Sequence, residues 1–482
     1  MEDTPRKLPS PWLSAIPLVV LIVFLYFTIS LFGSDSLGGA SQVVLLTSAA
    51  ICSGLAIAFC GVKWKEIEKA ISRNILGVSI AILILLLIGA LAGSWMISGV
   101  VPTLIYYGMQ ILHPSFFLVS SCVICAIVSV MTGSSWTTIA TIGIALMGIG
   151  EAQGFSAGWT AGAIISGAYF GDKISPLSDT TVLASTVSDV PLFTHIRYML
   201  YTTVPTLLIT LIIFTIAGFN HTGSDTSQVA EFSRILSERF NISLWLMIVP
   251  VVTGLLIARK APPLVTLFTS ALLAAFLALF FQPHLLQEIA GAEEGSMRAS
   301  LQGMLMSLYG GTGLEMGHET LNSLVSTRGM GGMLDTIWLI LSAMCFGGAM
   351  TASGMLESLT NELKRFVKGR TSLVSSTVGS GLLLNICTAD QYISIILTGN
   401  MFKDMYHKMG FESRLLSRTT EDAVTVTSAL IPWNTCGMTQ ATVLGVSTFT
   451  YLPYCFFNLI SPVMTIIIAA IGYKIKRFHE KD

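Results

Sequence analysis

Five carboxylates, Asp172, Asp179, Asp390, Glu421 and Asp422, lie in stretches of chain that are otherwise apolar. Ionisable side chains inside hydrocarbon are costly, and they mark ion paths and binding sites. A carboxylate so placed can hold a proton or a Na⁺ but not both well, which is the competition that cation/proton exchange requires. The acids sit in or near four polar interruptions: Thr132-Gly133-Ser134-Ser135-Trp136, Gly171 to Asp179, Thr388-Ala389-Asp390-Gln391-Tyr392, and Ile431-Pro432-Trp433-Asn434-Thr435. These breaks crowd hydroxyls and amides together, with Thr132, Ser134, Ser178, Thr388, Gln391, Asn434 and Thr435 foremost. Unwound backbone there frees carbonyl oxygens for a hard cation and exposes half-helix ends whose partial charges hold ions. Pro176 and Pro432 keep the helix from closing across the gap. Asp179 and Asp390 are the candidate Na⁺ ligands.

Each acid also has a structural reading. Lys173 adjoins Asp172, and Arg418 precedes Glu421 and Asp422 by three and four residues, so ion pairs are available. Glu421 and Asp422 diverge by about 100° on a helix, so one of the two is expected to face the site. Asp189 and Glu151 fall at span ends and read as solvated. His113, His195, His318 and His407 fall in loops without metal-ligand spacing. Cys122-x-x-Cys125 has no second pair or histidine and reads as packing. An intramembrane hydrolase would need a base set against a nucleophile, or a histidine metal site. A channel would need a continuous lined pore. Neither pattern is present, so no enzyme is expected.

The elements that must position these residues are membrane spans. Mean hydropathy is +0.74 and 11% of residues are charged, against roughly a quarter in soluble chains. A net charge of −1 argues against nucleic acid. Apolar runs at 12–32, 41–60, 76–97, 198–219, 243–258, 264–282, 336–355 and 452–473 are long enough to cross a core of about 30 Å. Four further units carry the interruptions: 116–149, 158–189, 372–402 and 414–446. Segment 297–314 is a short extra span or a surface helix. The loops at 220–242 and 283–335 carry an amphipathic Phe232–Leu236 stretch and the acids Glu293, Glu294, Glu315 and Glu319.

Charge bias decides how the interrupted units lie. If 116–149 and 372–402 enter and return as hairpins, one face collects 20 basic residues and the other four; if they cross, the split is 17 to seven. Cytoplasmic loops collect Lys and Arg, so the hairpin reading is preferred. The expectation is an all-α polytopic membrane protein with about ten transmembrane helices and two re-entrant hairpins. Broken helices lie at the midplane, and both termini are cytoplasmic, in a bacterial inner membrane. Thr132 to Pro176 and Thr388 to Pro432 are equally spaced, at an offset of 256 residues. This implies two inverted-topology repeats, 1–219 and 243–482, joined by 220–242, with the site at their interface.

The segments Gly171-Asp-Lys-Ile-Ser-Pro-Leu-Ser-Asp-Thr-Thr181, Thr388 to Tyr392, and Arg418-Thr-Thr-Glu-Asp422 running to Gly437 resemble the NhaC-type Na⁺/H⁺ antiporter family, within the wider ion transporter superfamily. Gly93-Ser-Trp95 and Val101 to Gly108 are similar to it as well. The resemblance implies exchange of Na⁺ for H⁺ by alternating access, with Asp172, Asp179, Asp390, Glu421 and Asn434 as transport-site residues. It implies no cofactor beyond Na⁺ as the transported or coupling ion. The partners are Na⁺, H⁺ and the lipid bilayer, with a homodimer as an allowed assembly. The alternative within the same fold is a Na⁺- or H⁺-coupled exchanger of a small organic acid or amino acid. The chain departs from the family pattern at Ala423-Val424, where a glycine is expected.

Overall fold

The computed structural model describes residues 8–32, 38–220, 226–292, 296–316, 322 and 325–477. Glu293, Glu294, His318 and Glu319 lie outside them. In chain order the first helices are α1 (Pro11–Phe32), α2 (Ala40–Cys60), α3 (Trp64–Gly77), α4 (Ser79–Ile97), α5 (Val100–Ile111), α6 (Pro114–Thr132), α7 (135–152), α8 (Ala157–Ile174), α9 (Asp179–Val187) and α10 (Leu192–Phe219). Then follow α11 (Thr226–Arg239), α12 (Ile248–Ala258), α13 (Pro263–Phe281), α14 (Pro283–Ile289), α15 (Met297–Tyr309), α16 (Leu334–Ala352), α17 (Met355–Arg365), α18 (Arg370–Thr388), α19 (Gln391–Lys408), α20 (413–430), α21 (Thr435–Leu444), α22 (448–454) and α23 (Phe456–Ile471). Among the described residues, seven helices are long and apolar enough to span a membrane, and two bent pairs add to them.

All four interruptions are real breaks. The α6–α7 and α18–α19 connections are tight tips, and the α8–α9 and α20–α21 connections unwind at Pro176 and Pro432. The two tip hairpins and the two broken helices share their bounds at an offset of 256: α6 with α18, α7 with α19, α8 with α20, and the starts of α9 and α21. Before them the match continues at an offset of 255, α4 with α16 and the start of α5 with that of α17. There α2 packs on α16 while α13 packs on α4, so each half lends a helix pair to the other.

Two differences from the sequence reading have one cause. Residues 61–75 and 356–371, read as loops, hold the amphipathic helices α3 and α17. Their charges lower mean hydropathy, yet each buries an apolar face through Ile67 or through Met355 and Leu356. The 297–314 segment is a helix of 13 residues, about 20 Å long at 1.5 Å per residue and short of the core. Helix α11 is the amphipathic helix anticipated at 232–236, and its Phe232 and Leu236 are fully buried.

Contacts sort the loops into two ends. At one end Ser358 Oγ donates to the Pro9 carbonyl (2.7 Å), Arg370 Nη2 donates to the Ala470 carbonyl (2.9 Å), Lys403 pairs with Asp189, and Phe411 bridges Arg477. At the other, Arg239 pairs with Glu288 (2.5 Å), and Gln282 donates to the Asn241 carbonyl (3.1 Å). The first end is the basic one. Asp189 is exposed there, as the sequence reading has it.

The core of the first half rests on α6 against α8. A Cβ on Gly167 would lie 2.1 Å from the Cys122 carbonyl oxygen, and one on Gly171 2.4 Å from that of Ala126. Only glycine allows this approach, which lets a helix carrying Asp172 lie against the hairpin. Gly167→Ala should therefore lower the thermal stability of the purified protein, by about 1–3 kcal/mol of overpacking. Gly54→Ala, with no neighbour within 4 Å of its added Cβ, is the control. Equal melting temperatures for the two variants would refute close α6–α8 packing.

Candidate functional site

The first tip turns at Gly133, whose φ of +68° closes α6. Ser134 then caps α7 by accepting the Thr137 N–H at 3.2 Å. Thr132 Oγ1 accepts the Ser134 N–H (3.1 Å) and lies 3.2 Å from Thr138 Oγ1. The carboxylate of Asp172, in the last turn of α8, is anchored here. One oxygen accepts the Ser135 N–H (3.1 Å) and hydroxyl (2.7 Å), and the other accepts the Ser178 hydroxyl (2.6 Å) across the proline break.

The second tip repeats the design. Ala389 takes the left-handed conformation (φ 58°), and Asp390 caps α19 by accepting the Ile393 N–H at 3.0 Å. Thr388 Oγ1 accepts the Asp390 N–H (3.3 Å) and lies 2.8 Å from Ser394 Oγ. The second oxygen of Asp390 accepts the Thr435 hydroxyl (3.2 Å), and the Thr435 N–H donates to the Ala389 carbonyl (2.8 Å). Asn434 caps α21 and donates to the Asn385 carbonyl (3.1 Å). Gln391 accepts the Ser428 hydroxyl at 3.1 Å.

These bonds also correspond at 256 residues. Ser129 donates to the Ala168 carbonyl (2.6 Å) and Asn385 to that of Val424 (2.7 Å). What differs is the source of the carboxylate. Asp172 occupies the position of Ser428, and Asp390 that of Ser134. In the first half the acid comes from the broken helix, and in the second from the tip. Thr132, Ser134, Ser178, Thr388, Gln391, Asn434 and Thr435 thus all belong to tip-to-break junctions. Asp179 does not: it opens α9 with an exposed side chain.

A buried charge cluster lies beside the first junction. Lys173 is fully buried and pairs with Asp422 of the other half's broken helix, not with Asp172. It also donates to Ser461 Oγ (3.2 Å), and Asp422 accepts the Thr202 hydroxyl (3.1 Å). Arg418 lies over the Tyr198 ring (4.5 Å) with Nε 3.9 Å from Asp422, and its nitrogens have no hydrogen-bond partner. Glu421 and Asp422 are both buried, in a π-helical turn over Glu421–Thr425. Their divergence holds: Asp422 meets Lys173, whereas neither Glu421 oxygen has a partner. His195 is not in a loop. It is buried in the first turn of α10, with Nδ1 2.9 Å from Ser417 Oγ.

In the sequence Ser135 reads as a break hydroxyl and Lys173 and Arg418 as ion-pair partners, but none of them, nor His195, is among the candidate site residues there. Lys173 and Arg418 carried a signal, being the two basic residues that charge bias leaves on neither face. His195 carried none, because its role depends on which helix packs opposite.

A cavity of about 940 Å³ opens between α4, α7, α16 and α21. Glu151, Asp335 and Arg328 line it, and it reaches Met438, one turn above Thr435. Among the described residues no group of three or more His, Cys, Asp or Glu is arranged to hold a metal ion. The oxygen donors at the junctions are mostly hydroxyls, carbonyls and single carboxylates, the set a hard monovalent cation accepts.

A helical bundle with two broken helices facing two hairpin tips is a polytopic membrane protein built for internal polar sites. The family model of the Na⁺/H⁺ antiporter family matches residues 8–186 and 167–473, and the chain belongs to that family. The chain is 38% identical to the malate-2H⁺/Na⁺-lactate antiporter of Bacillus subtilis, over 94% of each chain. It is 37% identical to the Na⁺/H⁺ antiporter NhaC of Alkalihalophilus pseudofirmus, over 85% of this chain and 86% of that one. It is 34% identical to the arginine/ornithine antiporter ArcD of Halobacterium salinarum, over 98% and 94%.

The Lys173–Asp422 pair should behave as a buried unit. Lys173→Met leaves an uncompensated charge and should cost about 3–5 kcal/mol of stability, whereas Lys173→Met with Asp422→Asn should recover most of it. Additive losses in a denaturant titration of the two single variants and the double would contradict the pairing.

Proposed function

We propose that this protein is a secondary active transporter exchanging Na⁺ for H⁺ across a bacterial inner membrane by alternating access. The supporting observation is the pair of junctions, each holding one buried carboxylate between a hairpin tip and an unwound helix. Na⁺ enters a junction, where Asp390 or Asp172 supplies charge and the neighbouring hydroxyls and carbonyls replace its water. The tip and the break come from different helices, so the ligands separate when those helices move. The family and the relative named as a Na⁺/H⁺ antiporter support the ion pair. The basic end of the bundle, with both termini, is cytoplasmic, and the cavity above Met438 opens to the opposite side. The two halves are then inverted repeats, because five crossings precede residue 243. Asp179, exposed at the start of α9, serves as an entry group rather than an enclosed ligand.

A second reading is exchange of a small organic acid or amino acid coupled to Na⁺ or H⁺. The malate/lactate and arginine/ornithine relatives favour it, as do the unfilled donors of Arg418, which suit a carboxylate.

Reconstituted liposomes separate the two. With an imposed outward Na⁺ gradient and a pH dye inside, acidification of the lumen should need Na⁺ and no organic solute. Proton movement that starts only on adding malate, lactate, arginine or ornithine would replace the first reading with the second. Asp390→Asn should abolish Na⁺-dependent movement while the protein still elutes as a single folded species, and retained exchange would remove Asp390 from the site.

A further inference from the structure

We propose that the exchanged proton is carried by Glu421, at a site separate from the two junction carboxylates, Asp172 and Asp390, that take the cation. This rests on the Na⁺/H⁺ reading above and divides its labour. Glu421 is fully buried, and neither of its oxygens has a hydrogen-bond partner. The other two acids buried at the junctions are held differently. Asp172 accepts three hydrogen bonds and Asp390 accepts from Ile393 and Thr435.

None of the titratable and charged groups around Glu421 hydrogen-bonds to it. From α8, the Lys173 ammonium is held by Asp422 and Ser461, and the Asp172 carboxylate by Ser135 and Ser178. On its own helix, Arg418 lies against Asp422 and the Tyr198 ring. From α10, His195 bonds Ser417. Neither carboxylate oxygen has a hydrogen bond in the structure, so the group is left to bind what arrives from outside. A Na⁺ there would need several oxygens replacing its water. The Thr425 hydroxyl, one turn on, faces it. A proton needs none of them.

Position and symmetry point the same way. The π-helical turn at Glu421–Thr425 adds a residue to the helical turn, a distortion found often at functional sites. The junction carboxylates have polar counterparts in the other half, Ser428 and Ser134. Glu421 has Ile165, so this site exists once per chain. Coupling to the cation is short-range. Lys173 follows Asp172 in the same last turn of α8, and it faces the turn that carries both Asp422 and Glu421. When Glu421 releases its proton to water, the Lys173 ammonium has a second carboxylate to serve, and a shift of Lys173 moves the backbone that presents Asp172. The proton is taken from water on one side and returned to water on the other, and no other bond is made or broken.

The test uses the full chain in proteoliposomes, with radiolabelled Na⁺ in two assays. One is Na⁺/Na⁺ counterflow at equal pH, and the other is Na⁺ uptake driven by a pH gradient. Glu421→Gln should keep counterflow within about twofold of wild type while gradient-driven uptake falls by about tenfold or more. Glu421→Asp should restore gradient-driven uptake with a displaced pH profile, an effect a purely structural role would not produce. Loss of both activities in Glu421→Gln, with no recovery in Glu421→Asp, would place Glu421 in the cation site or in folding and overturn the proposal. Retention of both would overturn it too. A wild type that moves Na⁺ in neither assay would instead overturn the Na⁺/H⁺ reading itself.

Discussion

Backbone that leaves the helix inside a membrane must have every N–H and C=O satisfied by protein or by water. The rest of this structure follows from that requirement at four places. At each tip a threonine hydroxyl closes the turn, and the residue capping the next helix takes up a free N–H. At each break a side chain next to the proline reaches the same carbonyl row of the tip helix: Ser175 donates to Val130 (2.8 Å) and Trp433 to Ile386 (2.8 Å). These bonds bring tip and break together, and that contact is where the carboxylates lie. The site is thus a by-product of satisfying unwound backbone, with acids placed where serines would also fit.

Much of this was legible because breaks in apolar sequence are conspicuous. Thr132, Pro176, Thr388 and Pro432 stood out by composition, and their equal spacing forecast the shared bounds of the hairpins and broken helices. The sequence could not reveal that α2 and α13 exchange partners, because both are uniformly apolar and carry no mark of which helix they meet. Nor could it pair Lys173 with Asp422, which are 249 residues apart. The nearer candidate, Asp172, was taken up by hydroxyls instead. Helices α3 and α17 were missed for the opposite reason: their charge made helices read as loops.

The departure at Ala423-Val424 has a packing explanation. A Cβ on Gly381 of α18 would lie 2.7 Å from a Val424 methyl. The glycine expected on α20 is replaced by one on the helix facing it, so the close approach survives with the small residue on the other side. That approach keeps the Val424 carbonyl within reach of Asn385, whose own carbonyl holds Asn434. A substitution that looks like a loss of the family pattern therefore preserves the geometry of the second junction.

The two halves share a backbone plan but divide their chemistry. If both carboxylates had come from equivalent positions, the junctions would be equal sites with equal affinities. Moving one acid to the tip and the other to the broken helix attaches each charge to a different element. A charge on a tip stays with its hairpin when the broken helix shifts, whereas a charge on the broken helix travels with that shift. Lys173 and Asp422 then tie the two broken helices to each other, with both charges fully buried. Breaking that pair without replacing it is costly, so a shift of one broken helix is resisted by the other. A shift at one junction is thereby passed to the other, even though the two share no residue.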